Sequence, residues 1–273
     1  MLGTVRAAFP YRIPGPNFGR YGSLVMVAPC NMACSYCDVG GYDKDAQHRL
    51  PGWRTMSVAE MEQFVDEEVD AGRVIYLTGG EPLMFPELVV HLGTRVRERG
   101  GYSILCTNAS FSARLDEVSA CVDEFSVSLK GSAAMAERVS GLQGKMAFDV
   151  PYRNTLQLLD YPNTIELVVV LFDGLDVDTI CALYEPFFGR AHITLKEFRP
   201  KVTRAQEDHS YRTELITDTS TLPVQPISVD DSHVILDELV LRYPQHAETF
   251  HLVTGGGGEQ GVRSAAHERV FVR

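Results

Sequence analysis

The sequence predicts an α/β fold, a partial (β/α)6 TIM-like barrel over residues 1–200 followed by a C-terminal extension over residues 201–273. Three observations carry this expectation. Short apolar runs alternate with stretches of helical apolar spacing, and strands joined by helical crossovers build a parallel sheet. Six such steps are fewer than the eight of a closed barrel, so the sheet stays open, with its sites at the C-terminal strand ends. The composition, 45% hydrophobic and 22% charged, is that of a globular domain with a sizeable core.

The elements follow in order. Residues 24–28 are short and apolar and run straight into a cysteine cluster. Ser57 can cap a helix with Glu60 three residues on, and Met61, Phe64, Val65 and Val69 recur at helical spacing until Gly72. The rhythm then predicts strand 74–77, helix 87–99 closed by Gly100 and Gly101, strand 102–106, helix 113–122 and strand 124–129. After a less regular stretch come helix 152–159, strand 165–171, helix 177–188 and strand 192–196. In the extension, residues 200–231 are polar and carry no assignment, 232–243 reads as a helix stopped by Pro244, Gly255–Gly258 as a flexible loop and 270–273 as a last strand. No internal repeat and no linker stands out.

The formal net charge of −11 argues against nucleic acid or an anionic membrane as the main partner. The N-terminal stretch lacks the apolar core of a signal peptide, and nowhere do about 18 apolar residues run together, so a cytoplasmic protein is expected.

Six cysteines in a chain of this length, three of them within eight residues, point to metal or redox chemistry rather than a disulfide framework. Cys30, Cys34 and Cys37 have the spacing C-x3-C-x2-C. Thiolates are the ligands of iron–sulfur clusters, and one loop can wrap three of them around a cubane, leaving one iron open to a substrate. A zinc site would want a fourth Cys or His at short spacing, and the nearest histidine is His48 on an unpatterned loop. Cys106, Cys121 and Cys181 lie in separate elements without the spacing of a second cluster, so a single cluster is expected. Cys121 and Cys181 read as ordinary thiols.

With Tyr36 as the aromatic of C-x3-C-x-aromatic-C after the first strand, residues 20–200 resemble the radical S-adenosylmethionine (SAM) superfamily. The resemblance implies an oxygen-sensitive enzyme with one [4Fe–4S] cluster on Cys30, Cys34 and Cys37, and SAM chelating the open iron. An electron donor such as flavodoxin or ferredoxin would drive cleavage to methionine and a 5′-deoxyadenosyl radical. That radical would take hydrogen from a small-molecule, peptide or protein substrate. Thr78-Gly79-Gly80-Glu81-Pro82-Leu83 stands where the superfamily carries its GGEP motif, so Gly79, Gly80 and Glu81 are implied to hold the SAM amino group. Tyr36, Asn108, Lys130 and Glu197, the last beside Arg199 at the sixth strand's end, are further candidate contacts, and Cys106 and Lys130 are candidate catalytic residues.

Within the superfamily the chain is similar to glycyl-radical-enzyme activases through Thr107-Asn108 and Leu129-Lys130, and departs from them at Cys106 and Ala109. It is also similar to 7-carboxy-7-deazaguanine synthase around Gly15–Asp38 and Thr78–Leu83, and departs at Val39, where that family has Thr or Ser for magnesium. A tailoring enzyme of natural-product biosynthesis is a third reading. A non-catalytic iron–sulfur or zinc-binding regulator is a reading of another class, one that has no need of Gly79–Glu81 beside its metal loop.

Overall fold

Strand β1 (Leu2–Pro10) runs antiparallel to β2 (Tyr21–Val27), and from β2 a parallel ladder begins. It continues through β3 (Val74–Gly79), β4 (Tyr102–Thr107), β5 (Glu124–Val127), β6 (Thr164–Leu171) and β7 (His192–Glu197), each strand pairing with the next. A hairpin of β8 (Lys201–Ala205) and β9 (Tyr211–Leu215) forms its own two-stranded sheet. Then β10 (Phe250–Thr254) returns to pair in parallel with β7, and β11 (Gln260–Ser264) and β12 (His267–Val272) close that edge antiparallel. The computed structural model describes residues 2–35, 37, 56–198, 201–205, 211–215, 220, 222–254, 260–264 and 267–272. Tyr36, Asp38, Val39, His48, Arg199 and Gly255–Gly258 lie outside the described residues.

Among the described residues the parallel ladder therefore has seven strands, one more than the sequence predicts. The additional strand, Phe-His-Leu-Val-Thr, is short and carries a histidine among its apolar residues. That interruption hides a strand buried on both faces from a pattern search.

The helices fill the crossovers: α1 (Val58–Asp70), α2 (Pro86–Glu98), α3 (Leu115–Cys121), α4 (Ala133–Ser140), α5 (Asp149–Leu158), α6 (Val177–Tyr184) and α7 (Val229–Arg242). Ser57 and Glu60 form the reciprocal capping box at the start of α1. Among the described residues no helix is long and apolar enough to cross a membrane.

Alternation along the strands sorts side chains onto two faces. Ile165, Leu167, Val169 and Leu171 of β6, with Leu105, Phe125, Ile193 and Leu252 of other strands, enter the large core shared with the helices. The opposite, inner face is polar: Glu124 and Ser126 of β5, Glu166 of β6, Thr194 of β7 and His251 of β10 are all buried there. Its floor, at the N-terminal strand ends, is covered by the 11–20 segment, whose Tyr11 and Ile13 pack on Val74, Tyr76 and Ile104.

Candidate functional site

The cysteine loop leaves the C-terminal end of β2 and is held from two sides. On one side, the turn after β3 packs beneath it: Gly80 N donates to Val27 O at 2.5 Å and Glu81 N to Pro29 O at 3.2 Å. This approach is what the two glycines permit. Gly79 has φ +108°, and a Cβ on Gly80 would lie 2.4 Å from Pro29 O and 2.9 Å from Cys30 N. On the other side, the last carbonyls of α4 receive the loop, with Ala33 N donating to Ser140 O (2.8 Å) and Ser35 N to Val139 O (2.9 Å).

Cys34 is buried, while Cys30 and Cys37 are half-buried, and among the described residues none of the three forms a disulfide. Cys37 N donates to Cys34 O at 3.1 Å, closing the second half of the loop into a turn. Burial pushes the Cys30 thiol up to about 11, against the Met32 amide and the Lys130 ammonium, which favour its thiolate. Cys34 is raised for the same reason, again opposed first by Lys130. Among the described residues, no three His, Cys, Asp or Glu side chains converge to hold a single metal ion. The donor set, three thiols on one braced loop with a buried cation beside it, nonetheless fits a cluster: soft sulfur ligands select iron–sulfur chemistry, and Lys130 offsets thiolate charge.

Glu81, assigned by its motif to a ligand's ammonium, is fully buried with its carboxylate turned to the protein. Oε1 accepts from Leu83 N (3.0 Å) and Thr107 Oγ1 (2.7 Å), and Oε2 from Asn108 N (2.7 Å). It thereby ties the turn after β3 to the end of β4. Asn108, in turn, reaches the cysteine loop: its Nδ2 lies 2.9 Å from Asn31 Oδ1 and 3.7 Å from Cys30 Sγ. Lys130 is buried after β5, with Nζ donating to Ser128 Oγ at 2.7 Å.

Cys106 lies on the inner face of β4, in register with Ser126. Burial pushes its thiol up to about 12. Glu197, by strand alternation, falls on the face opposite His192, Thr194 and Lys196, the β7 residues that share the inner face with Cys106. Glu166 binds two hydroxyls across that face, Ser126 Oγ and Thr194 Oγ1, each at 2.6 Å. His192 Nδ1 and His251 Nε2 stand 3.0 Å apart, both rings pushed toward the neutral form by burial, His251 down to about 4. Neither this row nor α4 is found by sequence reasoning. The helix was legible in Ser132 and Gly141, its cap and its left-handed stop.

An open parallel barrel with a three-cysteine loop at the C-terminal rim defines a class of barrel enzymes built around a metal cluster. Residues 25–185 match the model of the Radical SAM superfamily, and the chain belongs to that superfamily. Its members are enzymes that use a [4Fe–4S] cluster and SAM, and they need an electron donor and a substrate. The chain is 28% identical to a 7-carboxy-7-deazaguanine synthase of Methanothermobacter thermautotrophicus over 41% of its own length, and 29% identical to that of Thermococcus kodakarensis over 45%. The matches cover 42% and 54% of those relatives' own lengths. Among solved structures, Streptococcus suis SuiB bound to S-adenosylmethionine superposes with a TM-score of 0.60 at 12% identity, covering 83% of this chain and 48% of SuiB. That likeness is one of fold alone.

Proposed function

We propose that the protein removes a hydrogen atom from a small polar molecule seated against the inner face of its sheet. Cys30, Cys34 and Cys37 would hold a [4Fe–4S] cluster, and three protein ligands would leave SAM a place on it. When bound, the cluster supplies the electron that splits SAM into methionine and the 5′-deoxyadenosyl radical. By the family resemblance the backbone carbonyls of the Gly79-Gly80 turn would receive the SAM amino group, and the Lys130 ammonium suits its carboxylate. Tyr36 and Asn108 remain candidate contacts, whereas Glu197 alternates onto the opposite face of β7. The reading takes residues 1–200 as the barrel and 201–273 as an extension, one strand of which, β10, enters the barrel's sheet beside β7. It places the protein in the cytoplasm, where flavodoxin or ferredoxin is the electron donor.

The observation that carries the substrate class is the polar row on the inner face. Barrel interiors are ordinarily filled by bulky branched residues. Here Ser126, Glu166 and His192 are in register across three strands, and Glu166 and Thr194 are hydrogen-bonded. The Nδ1 of His251, a residue only 1% exposed, has no partner among the described residues. Buried polar groups are normally satisfied, so unfilled capacity beside a carboxylate favours a ligand that brings its own donors and acceptors. A reaction of the 7-carboxy-7-deazaguanine synthase type is the second reading, favoured by the relatives above and set back by Val39.

The test is anaerobic. Reconstituted protein given SAM and dithionite should release 5′-deoxyadenosine, with deuterium entering it from a labelled small-molecule substrate. Purified protein holding one zinc and cleaving no SAM would establish a regulator instead. A glycyl radical formed on a partner protein would establish an activase.

A further inference from the structure

We infer that Asn108 is a positioning residue for Cys30: its side-chain N–H donates to the Cys30 sulfur and tunes the reduction potential of the cluster, and Glu81 holds it in place. The inference rests on the cluster assignment proposed above. The orientation of the Asn108 amide is fixed by chemistry. A backbone N–H can only donate, and Ser110 N lies 2.9 Å from Asn108 Oδ1, so the oxygen must face Ser110. That leaves Nδ2 directed at Asn31 Oδ1 (2.9 Å) and Cys30 Sγ (3.7 Å). The backbone of the same residue is anchored through Asn108 N to Glu81 Oε2 at 2.7 Å. A continuous chain of contacts therefore runs from the carboxylate of the Gly-Gly-Glu turn, through the end of β4, to one sulfur.

Cys30 Sγ also accepts from Met32 N at 3.4 Å, so one backbone and one side-chain N–H converge on it. Hydrogen bonds to cluster sulfurs withdraw charge from the ligand. The reduced cluster carries one more negative charge, so such donors stabilise it more than the oxidised form and raise the potential. The amide therefore makes the cluster easier to fill by its electron donor and a correspondingly weaker reductant of SAM, so it sets the balance between the two electron transfers.

The experiment compares reconstituted wild type with Asn108→Asp and Asn108→Ala, measuring iron and sulfide content and then the midpoint potential by an EPR-monitored redox titration without SAM. Asn108→Asp keeps the side-chain volume and an acceptor for Ser110 N but replaces the donor at Cys30 with an oxygen. Both variants should shift to more negative potential, Asn108→Asp at least as far as Asn108→Ala. A purely structural role would lower iron content yet leave the potential of the remaining cluster unchanged, and that result overturns the inference. A wild-type protein that takes up no cluster is a separate outcome, which overturns the proposed function itself.

Discussion

Glu81 has the local physics of a brace. Its carboxylate is fully buried, and three protein donors converge on it. Burial raises its pKa, while the amide of Asn108 and the hydroxyl of Thr107 favour the charged form. Glu81→Gln puts a donor where only acceptors fit, leaving at least one of the three partners facing an NH2 group. An unsatisfied buried group of this kind costs about 1–3 kcal/mol. Denaturant unfolding should register a loss of that size, and an unchanged midpoint would mean the carboxylate is not engaged as described. Cys34 makes a simpler prediction. It is the buried member of its trio, so Cys34→Ala should bind no cluster under reconstitution conditions that fill the wild type. Iron analysis decides it, and full iron content would remove Cys34 from the ligand set.

At the scale of elements, the strand–helix rhythm was legible where strands carry apolar runs and the longer helices keep a 3.6-residue stripe; Ser57, Gly72 and Gly100 punctuate it. What stayed illegible was the architecture of the site. The polar row of Ser126, Glu166 and Thr194 is built from residues in three strands, and only register brings them together. The use of Glu81 was misleading for a related reason: a motif names a residue but not the direction of its side chain. Helix α4 was missed although its signals were present, because its eight residues are too few to show a stripe. It receives the cysteine loop, which gives its C-terminal stop a measurable role. Gly141 has φ +70°, and a Cβ there would stand 3.2 Å from Ala33 Cβ; Gly144 has φ +61° with nothing within 4 Å. Both Gly→Ala changes incur the left-handed penalty of about 1–2 kcal/mol. Only Gly141→Ala should also lower cluster retention on dilution into chelator, and equal retention in the two variants would show that α4 does not support the loop.

The whole molecule sets an apolar helix-side core against a polar inner face, and the second of these leaves a signature in the pH dependence of stability. At the floor, Glu124 is 1% exposed and accepts from Tyr11 OH at 2.6 Å and Tyr102 OH at 3.1 Å. Burial, with the nearby Glu166 charge adding to it, pushes its pKa up to about 8. The folded protein therefore keeps a proton that the unfolded chain, with an ordinary carboxylate, releases at much lower pH. Between those two values the folded state binds more protons, so stability falls as pH rises, by roughly 1.4 kcal/mol per unit for one group. Glu124→Gln supplies an oxygen for both tyrosines and does not titrate. Measured against it, the wild type should lose ground from about pH 5 to pH 8, by about 4 kcal/mol at most, and no further above that. His192 and His251 act in the opposite sense, since their lowered pKa values make the unfolded chain the better proton binder in acid. They are present in both proteins and cancel in the difference, so parallel stability curves for wild type and Glu124→Gln across this range would mean that the floor of the barrel is open to water rather than sealed by the 11–20 segment.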